Sequence, residues 1–272
     1  MEGDAAARDT DLIPAARRAR ALELIQQNGA ISIQRLAGEI GTSISTARRD
    51  VDYLAGAGFL ERSHGGAALR MRSRTTFEPT TDIADQVARQ EKLAIGRYAA
   101  SLVEDGQSVI LDSSTTVLEA AKCLVERDLR LTAVTNDLRI AIALKDLQKV
   151  QLIVPGGQVR SGSFTLVGSP AEAMIRTLQA DIALIGIHSL ANLRPSETSI
   201  EVANIKRAWI EAANRVLLLL DSSKFDQSAF CEICPIERVD EVICDDGLDA
   251  ENKRRLEQLG VKVTLVPVDR RP

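Results

Sequence analysis

Two sets of residues in this 272-residue chain have types and spacings that could do chemistry. The first is Arg48-Arg49, preceded by Ser43, Ser45 and Thr46 and followed by Arg62-Ser63-His64-Gly65-Gly66. Guanidinium groups present planar donor forks that fit phosphate oxygens and the major-groove edge of guanine, and hydroxyls can add donors around them. This set points to double-stranded DNA. The second set is scattered: Asp112-Ser113-Ser114-Thr115-Thr116, Thr135-Asn136, Gly156-Gly157 and Lys224. Hydroxyls, an amide, glycines that permit close backbone approach and one ammonium are groups that can hold a small phosphorylated polyol.

The elements that must position the first set are legible in the apolar spacing. Ile44, Ala47, Val51, Leu54 and Ala55 recur at helical intervals and predict one buried stripe, which leaves Ser45, Thr46, Arg48, Arg49 and Asp52 on other faces. Ser43 is the expected N-cap and Gly56 or Gly58 the stop. Upstream, Ser32 can cap a short helix carrying Leu36, Ala37 and Ile40, ended by Gly41, and a longer helix opens at Pro14 and closes at Asn28-Gly29. Downstream, Phe59–Arg62 alternates like a strand, His64-Gly65-Gly66 turns it, and Ala67–Leu69 returns as a second strand. Residues 14–69 therefore read as a helix-turn-helix with a wing.

Charge is distributed to match. Residues 12–74 carry ten Arg, no Lys and five acids, a formal +5, whereas residues 75–272 carry 23 Lys and Arg against 29 acids, a formal −6. A basic module can release counterions from DNA while an acidic remainder repels nonspecific DNA. Residues 1–13, acidic and without an apolar block, read as a disordered tail, and the polar, aperiodic residues 70–85 read as a linker.

Residues 86–272 change pattern to short apolar strands alternating with amphipathic helices. Strands are expected at 109–112, 131–135, 151–154, 181–187, 216–221, 241–244 and 262–266, with helices between them. Near-continuous apolar runs such as Val216–Leu220 suit a sheet covered on both faces, so the fold class is α/β and mostly parallel. Ligands of such sheets lie beyond the carboxyl ends of the strands, where Asp112, Thr135, Asn136 and Lys224 fall.

The remaining features exclude several classes. No apolar run approaches the roughly 18 residues of a membrane span, and the charged N-terminus lacks a signal-peptide core. Cys231-Glu-Ile-Cys234 has no second ligand pair, so no metal is expected, and four reduced thiols suit a cytoplasmic protein.

The run Thr46-Ala-Arg-Arg-Asp50, followed by Gly58-Phe-Leu-Glu-Arg-Ser-His-Gly-Gly-Ala67, resembles the winged helix of DeoR-type sugar-operon repressors. In order, Glu91–Gly96, Leu111–Thr116, Val134–Asn136, Gly156-Gly157, Gly168, Glu201 with Lys206, and Asp221–Lys224 resemble that family's sugar-phosphate sensor, so the resemblance spans about residues 17–245. It implies a sensor fold related to ribose-phosphate isomerases. It also implies a repressor of carbohydrate-catabolism genes that contacts operator DNA and is relieved by a phosphorylated sugar. No cofactor and no catalysis are expected, and a homo-oligomer, dimer or tetramer, would match operator symmetry. A constitutive DNA-binding protein with a sensor used only for assembly, and an isomerase-like enzyme, are the alternatives.

Three positions depart from the family pattern. Ala47 stands where a larger aliphatic residue is usual, Ser114 stands where the phosphate turn usually has glycine, and Gly186–Pro195 lacks a second glycine after its strand. His188 in that stretch is read as a hydrogen-bonded structural histidine, with effector contact as the alternative.

Overall fold

The computed structural model describes residues 14–56, 59–63, 65–69, 75–76, 78 and 81–269. They divide into a unit ending at Ala88 and a second unit beginning at Arg89.

The first unit comprises α1 (Pro14–Asn28), β1 (Ala30–Ser32), α2 (Ile33–Glu39), α3 (Ile44–Gly56), β2 (Leu60–Ser63), β3 (Gly66–Leu69) and α4 (Thr81–Gln86). Leu22 and Ile25 of α1, Leu36 of α2 and Val51 and Leu54 of α3 enclose one core. The strands form an antiparallel sheet in the order β1-β3-β2. Ser32 caps α2 by accepting the Arg35 N–H at 3.2 Å, and Ser43 accepts the Thr46 N–H at 3.1 Å at the start of α3. Gly41 turns the chain between these helices with φ of 66°, a left-handed backbone that glycine adopts without Cβ strain.

Two expectations for this unit are corrected. Ile44 is 49 % exposed, so the buried stripe of α3 begins one turn later at Ala47. As the first residue of α3, Ile44 projects past the end of that core. The end of the expected linker is also structured: residues 81–86 form α4, which packs on α1 and buries Ile83 completely. Ala88 then donates its N–H to Glu23 of α1 at 3.2 Å.

The second unit comprises α5 (Arg89–Ser101), β4 (Ser108–Leu111), α6 (Thr115–Val125), β5 (Leu131–Thr135), α7 (Leu138–Leu144), β6 (Val150–Ile153), β7 (Gln158–Val159), β8 (Leu166–Val167), α8 (Ser169–Ile175) and β9 (Ala180–Gly186). It continues through β10 (Ser189–Ala191), β11 (Arg194–Glu197), α9 (Ile200–Glu211), β12 (Ala213–Leu219), β13 (Cys231–Glu232), β14 (Glu241–Asp245), α10 (Ala250–Gln258) and β15 (Lys262–Val266). Seven strands pair in parallel in the order β15-β14-β12-β9-β4-β5-β6. Successive residues of a strand point to opposite faces. Accordingly Leu217 and Leu219 join one core layer while Leu218 and Leu220 join the other.

Two small additions have no counterpart in the expected elements: an antiparallel β10-β11-β13 sheet and the β7-β8 hairpin. Their strands run for two to four residues, too few for an alternating pattern to register. No described helix is long and apolar enough to cross a membrane.

Candidate functional sites

The DNA-reading candidates lie on the open side of α3. Ser43, Ser45, Arg48 and Arg49 are exposed and Thr46 is half-buried. Their internal commitments are few: Ser43 shares its hydroxyl with those of Ser45 and Thr46 at 2.9 Å each, and Arg49 reaches Ser45 O and Thr46 Oγ1 at 3.4 Å. Arg62 on β2 is exposed and pairs with Asp52 of α3, tying the wing strand to the helix. His64 lies outside the described residues.

The acid following the two arginines has the opposite surroundings. Asp50 is 1 % exposed and accepts from Arg17 Nε at 2.5 Å, Arg17 Nη2 at 3.1 Å and Arg18 Nε at 3.1 Å. Arg18 also stacks 3.7 Å from the centroid of Tyr53. The Arg-Arg-Asp run thus divides its labour, with two side chains outward and a third clamping α3 to α1. Sequence spacing left Asp50 unassigned; its position one residue before Val51, beside the apolar stripe, was the available signal.

In the second unit the candidates converge on the carboxyl ends of β12, β9, β4 and β5, four neighbouring strands. Asp112 follows β4 and is 1 % exposed; it pairs with Lys206 of α9 and accepts the Gly186 N–H at 3.1 Å. Lys206, equally buried, also donates to Gly186 O at 2.7 Å and lies 3.4 Å from Glu197. Burial pushes the Lys206 ammonium down, but the Asp112 and Glu197 carboxylates outweigh it and hold the pKa above the ordinary value. Glu201, which carries the family resemblance together with Lys206, is exposed and accepts from Ser199 Oγ at 2.5 Å. A lysine on the apolar face of α9, between Ala203 and Ile210, was the sequence signal for this buried pair.

The turn after Asp112 is knitted to the β5 end. Ser113 donates its N–H to Asn136 Oδ1 at 3.2 Å and its hydroxyl to Asp137 Oδ2 at 3.0 Å. Asn136 takes the Trp209 indole N–H at 3.3 Å and donates to Leu166 O at 3.1 Å. Thr135 accepts the Asp137 N–H at 3.1 Å, and Asp137, fully buried, caps α7 through the Arg139 N–H at 2.7 Å. Ser114 caps α6 by accepting the Val117 N–H at 3.0 Å. Thr115 is half-buried and Thr116 6 % exposed, both in the first turn of α6.

Gly156 and Gly157 follow β6, exposed, with no hydrogen bond to that turn. Gly157 has a structural reason of its own: at φ of 127°, a Cβ there would stand 2.5 Å from Val167 O of the facing hairpin strand. At the β12 end, Asp221 is 1 % exposed and caps the 3₁₀ turn Ser222–Lys224 by accepting the Ser223 N–H at 3.1 Å, while its Oδ2 is buried with no hydrogen-bond partner among the described residues. Lys224 is half-buried and makes no ion pair among the described residues. His188, after β9, has no hydrogen-bond partner among the described residues, contrary to the structural role expected of it. Burial, then Lys224, then Lys206, push its pKa down to about 4, so the ring is neutral near pH 7.

Comparison with known proteins covers both units. Residues 17–72 match the DeoR-like helix-turn-helix domain and residues 87–246 match the DeoR C terminal sensor domain. An uncharacterized HTH-type transcriptional regulator of Escherichia coli (strain K12), YgbI, is 34 % identical over 90 % of this chain and 95 % of its own. The lactose phosphotransferase system repressor of Lactococcus lactis subsp. lactis is 28 % identical over 93 % of this chain and 98 % of its own. Among solved structures, ribose 5-phosphate isomerase A from Methanocaldococcus jannaschii aligns at 17 % identity with a TM-score of 0.39, over 51 % of this chain and 55 % of that one. With its winged helix-turn-helix, its parallel α/β unit and both family domains in order, the chain belongs to the DeoR family of transcriptional regulators.

Proposed function

We propose that this protein is a cytoplasmic repressor of carbohydrate-catabolism genes. It holds operator DNA through Ser43, Ser45, Thr46, Arg48, Arg49 and the wing, and releases it when a phosphorylated sugar binds the strand ends of the second unit. The observation that carries the sensing half is convergence: the Asp112–Thr116 turn, Asn136, His188 and Lys224 belong to one end of one sheet, and the orphaned Asp221 Oδ2 is an acceptor awaiting a donor. A buried acceptor without a partner is costly, and a ligand hydroxyl would supply one. The Lactococcus relative is a repressor of the lactose phosphotransferase system, which supports a carbohydrate effector. The exposed Ile44 adds an apolar group at the start of α3, suited to a thymine methyl. A homo-oligomer presents two such helices to a palindromic operator.

Regulation is favoured over catalysis because the named relatives are transcriptional regulators and repressors aligned over nearly their whole length. The test is fluorescence anisotropy on DNA flanking the protein's own gene, with and without pentose and hexose phosphates. Release by one of them, lost in Lys224→Ala while DNA binding persists, is the expected result. Tight DNA binding indifferent to every sugar phosphate moves the reading to a constitutive binder, and rapid isomerisation of one moves it to an enzyme.

A further inference from the structure

The strand-end site has two sides of unequal chemistry. On the α6 side three donors that an anion could use are already taken, and the Thr115 and Thr116 hydroxyls suit sugar hydroxyls as well as an anion. The Ser113 N–H goes to Asn136, the Ser113 hydroxyl to Asp137, and the Val117 N–H to the Ser114 hydroxyl, which stands where an anion at a helix N-terminus would stand. The cleft behind it is full: a Cβ on Gly186 would lie 2.2 Å from Ser114 Oγ and 2.4 Å from Ser114 Cβ. The charges are matched as well. Asp112 is answered by Lys206, and Asp137 by Arg139 at 3.0 Å.

The β12 side is the reverse. Leu190 forms a parallel bridge with Phe225, and Asp226 donates its N–H to Leu190 O at 2.9 Å. That seam sets His188, two residues before Leu190, beside the Ser222–Lys224 turn. Lys224 has no carboxylate partner among the described residues, Asp221 included, and the His188 ring has both nitrogens unengaged there. A neutral imidazole offers one donor and one acceptor, and a lone ammonium offers the charge.

We infer that Ser114 and His188 set the polarity of the effector: its anionic group lies against Lys224 with His188 as hydrogen-bond partner, and the α6 side receives hydroxyls. This inference rests on the strand ends being the effector site proposed above. It assigns His188 to ligand recognition and makes Ser114 the residue that closes the helix end to phosphate.

The chain has only two histidines, His64 and His188, so full-length protein labelled with ¹³C at the imidazole Cε1 gives two resonances, assigned with His188→Gln. Inorganic phosphate is titrated first, then ribose 5-phosphate with ribose as the neutral control. Phosphate should shift the His188 resonance saturably and leave His64 unmoved. Lys224→Gln should weaken that binding by about tenfold or more, as loss of a charged hydrogen bond does. Ser114→Gly should instead tighten phosphate binding by opening the α6 end. Phosphate that fails to bind, binds with His188 silent, or binds more weakly in Ser114→Gly overturns the inference. DNA release is scored separately with ribose 5-phosphate and the other sugar phosphates. Release with His188 silent rejects only the polarity, and a His188 response with no release by any sugar phosphate rejects only the repressor reading.

Discussion

The two candidate sites are built on opposite plans. On α3 the residues that would meet DNA are exposed or, for Thr46, half-buried and spend few of their donors inside the protein, whereas at the strand ends Asp112, Asn136, Asp137, Lys206 and Asp221 are all 1 % exposed or less and bonded to the groups around them. A large polyanion supplies its own partners along a surface, so an open face with stiff backing suffices. A small ligand must find its partners already fixed, which requires orienting groups that lie beneath the contact groups. The same residue type therefore does different work in the two units. Asp50 ties α3 to α1 from behind; Asp112 ties the end of β4 to α9 through a buried lysine.

The contrast is sharpest in what a single substitution should do. Lys206→Met leaves Asp112 and Glu197 buried without their ammonium, and loss of one partner from a buried pair costs about 3–5 kcal/mol. Chemical denaturation should show the second unit destabilised on that scale, while DNA affinity under native conditions is retained; a loss below about 1 kcal/mol would mean that the pair is not buried as described.

Arg48→Ala and Arg49→Ala should do the converse. Each removes an exposed side chain, so thermal stability should hold, while loss of a good base contact weakens operator binding by about 1–3 kcal/mol. Unchanged affinity in both variants would remove α3 from the interface.

Gly186→Ala tests how tightly the end of β9 packs on the Ser114 turn. The added Cβ meets Ser114 Oγ at 2.2 Å, and overpacking of this kind costs about 1–3 kcal/mol. Ser114→Gly in the same chain should recover most of the loss. Equal destabilisation with and without Ser114 would show that the conflict lies with another neighbour.

The smallest effect is in pH dependence. With the His188 pKa near 4 in the fold and 6.5 when unperturbed, the unfolded chain binds more protons between those values, so stability rises with pH across that window and its contribution is flat above it. Urea midpoints measured from pH 4 to 7 should be steeper for the wild type than for His188→Gln. Parallel profiles would place the ring in water.

How far these sites were legible depended on the range of the interaction. The parallel strands announce themselves as local apolar runs, and Leu131–Thr135 and Lys262–Val266 fall where the pattern sets them. Ser43 and Ser32 are caps readable from the next three residues. Contacts that join distant segments left no local trace: Ser114 meets Gly186 across 72 positions, and Arg17 meets Asp50 across 33. Periodicity also does not say where a core stops, which is why Ile44 joined the stripe in sequence and stands outside it in space. Ile83 was hidden for the opposite reason, as one of a few scattered apolar residues in a polar stretch whose partner surface on α1 lies far upstream.

That last residue decides what can be exchanged between regulators. A DNA reader cut at residue 69 would leave behind the isoleucine that covers its own first helix, and with it the glutamate-held backbone of Ala88. The transferable module therefore ends at Ala88. A chimera joined there carries an intact reader to a new sensor, whereas one joined inside 70–80 obliges the incoming domain to seal a face that it never evolved to touch.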